Sequence, residues 1–295
     1  MILDNLSIFR AMAKNYNSPG MNRNMIGYTI KENFGHFTMR EVRAYVEATG
    51  DDISRYGSQV PPFFFSRRLY PLFKKVITHR DLGMDLLRMV HGQQSLKCYE
   101  PISLGENFQV EVKIADIIGT PAGEMLLIRT SGFKSDRLIL ESDTGLMVRN
   151  RKKIDIEGGG PSPKRKKGKK LRGGDIKLLI RTFRGQQKKY AKVSKDTNPI
   201  HTSEFFARLA GLPGTILHGV CVIAMCANSL VDYAAERDPA RMKFVSARFA
   251  YPVIPGDTLT LVGSRIELNG EDEIEFDVYN SRGRTVVKRG AFACT

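Results

Sequence analysis

With 295 residues, 42% of them hydrophobic and 26% charged, the chain has room for one large domain or two ordinary ones and enough apolar content to bury a core. No apolar run approaches the roughly 18 residues of a membrane span, and Asp4, Arg10 and Lys14 stand where a signal peptide would need its apolar centre; a cytoplasmic protein with no membrane partner is expected. A net charge of +15 raises nucleic acid as a partner, but seven Lys and Arg lie together between Gly158 and Gly174 with no base-stacking or helix-turn-helix motif, so a solvated connector and no nucleic-acid partner are expected.

That connector, over 158–174, divides the chain into an N-terminal extension (1–29), a first half (30–157) and a second half (175–295). The first half holds "EATGDDISRYGSQVPPFFF", and later "YEPISLGENFQVEVKIADI", in which a Pro, a Gly and an acid precede an alternating strand at Phe108, Val110, Val112 and Ile114. The second half repeats the pattern as "YPVIPGDTLTLVGSRIEL". Pro101 and Pro252 are 151 residues apart, as are Gly105 and Gly256, which identifies two diverged copies of one unit.

The second half opens with a strand over "IKLLIRTFRGQQKKYAKVS" and passes a polar stretch, "KDTNPIH". It then enters a short helix, "SEFFARLAG", capped by Thr202 or Ser203 and ended by Gly211. A longer helix, "GVCVIAMCANSLVDYAAER", is apolar nearly all round and should be buried. Three strands follow, the last broken by a turn at Ser281-Arg282-Gly283. One apolar helix followed by consecutive antiparallel strands predicts an α+β fold, with a sheet wrapped around the helix. The four cysteines make no Cys-x-x-Cys pair and no metal-ligand spacing, so reduced thiols and no metal are expected.

Chemistry concentrates in the polar stretch. Pro199 fixes its own φ and holds Asn198 out of helix, so Asp196-Thr197-Asn198-Pro199-Ile200-His201 should turn and bring His201 back toward Asp196. A carboxylate and an imidazole can share one water, with Asn198 orienting either partner. Downstream, Gly214 and His218 lie in the loop that leads to Gly219, which opens the apolar helix. Without a side chain at Gly219, a ligand oxygen can approach the free N–H groups of the helix tip.

These residues, "DTNPIH", "LPGTILHGVC" and "RFAYPVIPGDTL", resemble the MaoC-like or hydratase 2 family, the (R)-specific enoyl-CoA hydratases of the hot-dog fold; "VHGQQSLKCYEPISLGENFQVEVKIADI" resembles the N-terminal hot dog of two-domain members. The resemblance implies a double hot dog that converts trans-2-enoyl thioesters to (R)-3-hydroxyacyl thioesters, or the reverse, without a cofactor. It makes Asp196 and His201 the catalytic dyad, Asn198 their partner and Gly219 the oxyanion donor, with Gly214 and His218 on the substrate side. An acyl-CoA or acyl-carrier-protein thioester is the implied partner, in a monomer or a homodimer. Lys195 stands where the family usually has Gly, and Ala224 where some single-hot-dog relatives have Ser. The first half has no Asn-Pro-x-His and should be inactive, with Phe63, Phe64 and Phe65 making room for an acyl chain; its His91-Gly92 reads as structural, on the strand equivalent to "SARFAYP". Alternatives are thioester hydrolysis on the same fold, or non-catalytic binding of acyl thioesters or nucleic acid.

Overall fold

The computed structural model describes residues 6–16, 18–150, 169–170, 176–268 and 270–295. After α1 (Leu6–Asn15), β1 (Thr29–Gly35), α2 (Met39–Thr49) and α3 (Tyr70–Ile77), the first half runs through four strands: β2 (Met89–Cys98), β3 (Phe108–Thr120), β4 (Gly123–Lys134) and β5 (Arg137–Arg149). The short β6 (Lys169–Lys170) precedes the second half. There, β7 (Ile176–Arg181), α4 (Gln186–Ser194), α5 (Pro199–Thr202), α6 (Glu204–Leu209) and α7 (Gly219–Ala234) lead to β8 (Met242–Phe249), β9 (Thr258–Leu268), β10 (Glu271–Tyr279) and β11 (Thr285–Cys294).

Alternation drives the strands. In β3, Phe108, Val110, Val112 and Ile114 are buried while Gln109 and Lys113 are exposed; in β9, Leu259 and Leu261 take the inward positions. Positive φ at Ser135 and Asp136 makes the tight β4–β5 turn, whose strands close on the Lys134–Arg137 pair. The strands form one 11-stranded antiparallel sheet in the order β1-β3-β4-β5-β2-β8-β11-β10-β9-β6, with β7 also paired to β9. Reading outward from the centre, β2, β5, β4, β3 and β1 are matched by β8, β11, β10, β9 and β7. The centre is the β2–β8 pairing, where Ser95 lies opposite Ser246. These two serines are themselves 151 residues apart, so the repeat offset of the Pro-Gly motif reappears at the axis relating the halves.

The sheet packs on α7, whose Cys221 to Ala227, Leu230 and Val231 are buried against β2, β7, β8 and β11. Helix α3, which precedes β2 as α7 precedes β8, has 8 residues where α7 has 16. The extension is docked on the first half: Lys14 Nζ donates to Arg80 O (3.1 Å), Asn15 Nδ2 to Met84 O (3.3 Å) and Met21 N–H to Glu124 (2.7 Å). The long strand expected at the start of the second half is corrected. It ends at Arg181, Gly185 turns the chain at φ 81°, and Gln186 to Ser194 form a helix. The connector at 158–174 lies outside the described residues, except that Lys169 and Lys170 pair with Glu267 and Ile266 of β9. Among the described residues no helix is long and apolar enough to cross a membrane.

Candidate active site

Helix α4 ends at Lys195, a non-glycine residue held in the left-handed region (φ 62°, ψ 4°). This reversal sends Asp196 back along the helix end, where its N–H donates to Ser194 Oγ (3.2 Å). The carboxylate Oδ1 accepts the Asn198 N–H (3.1 Å), and Asn198 Oδ1 accepts the Ile200 N–H (3.3 Å). Asn198 therefore caps α5, whose first residue, Pro199, has no N–H to satisfy. The single turn of α5 carries His201 round to Asp196.

His201 is buried, and its Nδ1–H donates to Ile216 O (2.8 Å), leaving the lone pair on Nε2. Ring nitrogens of His201 and His218 and a carboxylate oxygen of Asp196 all lie within 4.8 Å of one another. Burial dominates the ionisation of this group. It pushes the Asp196 carboxyl up, against the opposing His201 charge and the Asn198 N–H, and pushes the His201 imidazole down, against Asp196 and the Ile216 carbonyl. His218 falls well below its ordinary range, through burial and then through His201.

Residues 214–219 close the other side. Gly214 lets the loop approach α6, since a Cβ there would lie 3.0 Å from Glu204 Oε2; the next residue, Thr215, donates to Glu204 from its Oγ1 (2.7 Å) and its N–H (3.2 Å). His218 is 3% exposed and sits behind the group rather than at its surface. Its Nε2 donates to Asp196 O (3.0 Å), and its ring stacks on His201 at 3.7 Å and lies 4.9 Å from Tyr190. Gly219 is the first residue of α7, so its N–H has no acceptor within the helix. A Cβ there would come within 2.7 Å of His91 Nδ1 and 3.0 Å of the Phe249 ring, so any side chain would force one of those rings to move.

Asp196, His201 and His218 are also the one grouping of metal-ligand residues found among the described residues. The two imidazoles are stacked with 22° between their planes, which sends their in-plane lone pairs side by side rather than toward a common point. A tetrahedral ion needs converging donors. The arrangement instead suits a small polar ligand held between an imidazole lone pair and a carboxylate, close in the chain to the free N–H groups that open α7.

Two side chains of the first half reach this place without having been expected there. His91 lies over Gly219, and the Tyr70 phenol lies beside Thr197 and Asp196, its pKa raised by burial. His91-Gly92 is conspicuous in the sequence, but only the pairing of the two halves brings it to α7. The three phenylalanines divide. Phe63 lines a small cavity with Ala224, Ala227 and Asn228 of α7, whereas Phe64 packs edge-on against Phe37 and Tyr45, and Phe65 is 1% exposed; neither Phe64 nor Phe65 lines that cavity. All three are buried, and of the three Phe63 is the one that lines this cavity beside α7.

Residues 162–284 match the MaoC like domain, and residues 24–139 match the dehydratase domain region of FAS1-like proteins. The chain is 30% identical over 213 residues to 3-hydroxyacyl-thioester dehydratase Y of Mycobacterium tuberculosis, covering 69% of this chain and 71% of that one. It is 30% identical over 186 residues to peroxisomal multifunctional enzyme type 2 of Mus musculus, and spans only 24% of that longer protein. Its fold is similar to that of a MaoC-like dehydratase from Phytophthora capsici, with a TM-score of 0.73 at 20% identity over 92% of this chain and 96% of that one. The continuous sheet of two matched halves, packed on α7, is a double hot dog. The chain belongs to the MaoC-like dehydratase family.

Proposed function

We propose that this protein adds water to trans-2-enoyl thioesters to give (R)-3-hydroxyacyl thioesters, or runs the reverse dehydration, with the chemistry confined to residues 175–295. The observation that carries this reading is the Asp196 carboxylate within 4.8 Å of the His201 ring, whose Nε2 keeps its lone pair, with His201 stacked on His218, the residue just before the tip of α7. The name of the Mycobacterium tuberculosis relative, a 3-hydroxyacyl-thioester dehydratase, supports the same class of reaction, which thioesters of CoA or of a carrier protein could both undergo.

In this reading the thioester carbonyl accepts from the Gly219 N–H, so charge that gathers on oxygen during addition meets the positive end of a helix. A water held between Asp196 and His201 gives up one proton as its oxygen bonds to the β-carbon, and the pair delivers a proton to the α-carbon; the double bond becomes single and one water is consumed. Asn198 keeps the loop closed through its cap on α5. Stacking by His218 fixes the plane of the His201 ring.

The test is the absorbance of the enoyl-thioester band with crotonyl-CoA and a longer enoyl-CoA, followed by chiral analysis of the product and a free-thiol assay. Loss of absorbance with an (R)-product and no thiol is expected. Thiol release without a hydroxyacyl product would replace this reading by thioester hydrolysis.

A further inference from the structure

His91 makes both of its hydrogen bonds through one ring nitrogen. Nε2 lies 3.1 Å from Gln93 O and 3.1 Å from Gln94 Oε1. A backbone carbonyl can only accept, so Nε2 carries the proton. The orientation of Gln94 is set independently: its Nε2 donates to Ser142 Oγ (2.6 Å) and Ser95 O (3.2 Å), and its Oε1 accepts from Thr144 Oγ1 (3.0 Å). Gln94, Ser142 and Thr144 are all buried, which locks the assignment. The β2–β5 register slips between His91 and Gln93, and such a bulge re-aims a side chain. The result is an unprotonated Nδ1 directed at the tip of α7, at the position a Gly219 Cβ would crowd, with the Phe249 ring 4.7 Å from the imidazole.

A lone pair at that place cannot steady an enolate oxygen; it requires a donor. The group is only partly covered by protein. Burial holds the imidazole down to about 4, so the lone pair persists at neutral pH. Near its carbonyl, a biological acyl thioester offers one suitable donor besides the hydroxyl that faces the dyad: the amide N–H of the cysteamine arm, two methylenes beyond sulfur.

We propose that His91, supplied by the first half, is a specificity-determining residue of the site in the second half, its Nδ1 accepting the hydrogen bond of the amide N–H in the thioester arm. CoA and carrier-protein thioesters share that amide, so the recognition serves either source. The proposal rests on the hydratase reading above.

Two synthetic substrates test it without altering the protein: crotonyl thioesters bearing a 2-acetamidoethyl arm or a 2-acetoxyethyl arm, which differ by N–H against O. The wild-type protein should favour the amide in kcat/KM by about tenfold, the value of one hydrogen bond at a partly buried site. In His91→Phe, which keeps a ring and loses the acceptor, the ratio should fall to near one. Equal kcat/KM for the two arms in the wild-type protein would overturn the proposal, even where the variant fails to fold. So would an unchanged ratio in His91→Phe, or an equal loss on both substrates, which is the mark of a merely structural ring. Absence of any hydration of crotonyl-CoA by the wild-type protein would remove the underlying reading as well, a result distinct from equal use of the two arms.

Discussion

The loop at residues 50–57 of the first half and the loop at 195–203 of the second are built alike and do opposite things. Each follows a helix that ends on a left-handed residue, Gly50 (φ 68°) or Lys195 (φ 62°). Each then presents an aspartate, Asp51 or Asp196, and a side-chain cap, Asp52 Oδ1 to Ser54 N–H or Asn198 Oδ1 to Ile200 N–H. Three residues after the cap comes Arg55 in one and His201 in the other. Arg55 is permanently charged and lies 3.3 Å from Asp51, both side chains 4% exposed; it also bonds Asp232 at the far end of α7. Burial pushes Asp51 up, while Tyr56 and Arg55 oppose the shift. A guanidinium at this position gives a closed ion pair, whereas an imidazole leaves a lone pair free. One side chain thus separates a fastener between the halves from what the proposed reading takes as a proton-exchanging pair.

The sharpest way to break that comparison is to disarm both loops in the same manner. Asp196→Asn and His201→Ala should each reduce hydration by about 10³-fold, as removal of a positioned acid or base does, whereas Asp51→Asn should leave turnover per folded molecule at the wild-type level. Equal losses in the two loops would mean that the first half shares in the chemistry. Next in size is Arg55→Leu, which strands Asp51 in a buried site and should lower unfolding stability by about 3 kcal/mol in a urea titration. Activity of the folded fraction should persist, since Arg55 meets α7 near Asp232 and not at Gly219.

The smallest effect sharpens the comparison through pH. Asp196 titrates above the ordinary 3.8 and His201 below the ordinary 6.5, so as pH falls the carboxylate is lost earlier than usual and the imidazole later than usual. A profile of kcat/KM should fall on the acid side in a limb displaced above that of an ordinary aspartate, through loss of the Asp196 carboxylate. A limb at the ordinary 3.8 would show that burial does not hold the Asp196 carboxyl up.

Much of this arrangement is legible in the sequence because it is local. The turn at Asn198-Pro199 and the glycine that opens α7 each rest on residues close in the chain, and the repeat is read from two short motifs of matching local pattern. Helix α4 was not legible, because its buried face carries Gln186, Gln187 and Ser194 beside Tyr190 and Ala191, a mostly polar set with too weak an apolar period to detect. His91 and Tyr70 were not legible either: their significance comes from the β2–β8 seam and from contacts between halves, and neither has a short-range signature. How Phe63, Phe64 and Phe65 divide between packing and the small cavity was likewise not legible, since three consecutive aromatics cannot all face one way.

The seam at Ser95 and Ser246 has one further consequence. An assembly of two identical chains must carry every substitution in duplicate, so a guanidinium that closes one pocket closes the other. Covalent tandem duplication lifts that constraint: the first copy can surrender its own chemistry, lend a ring to its neighbour and become an anvil for it, while the shared ladder keeps the pair in register.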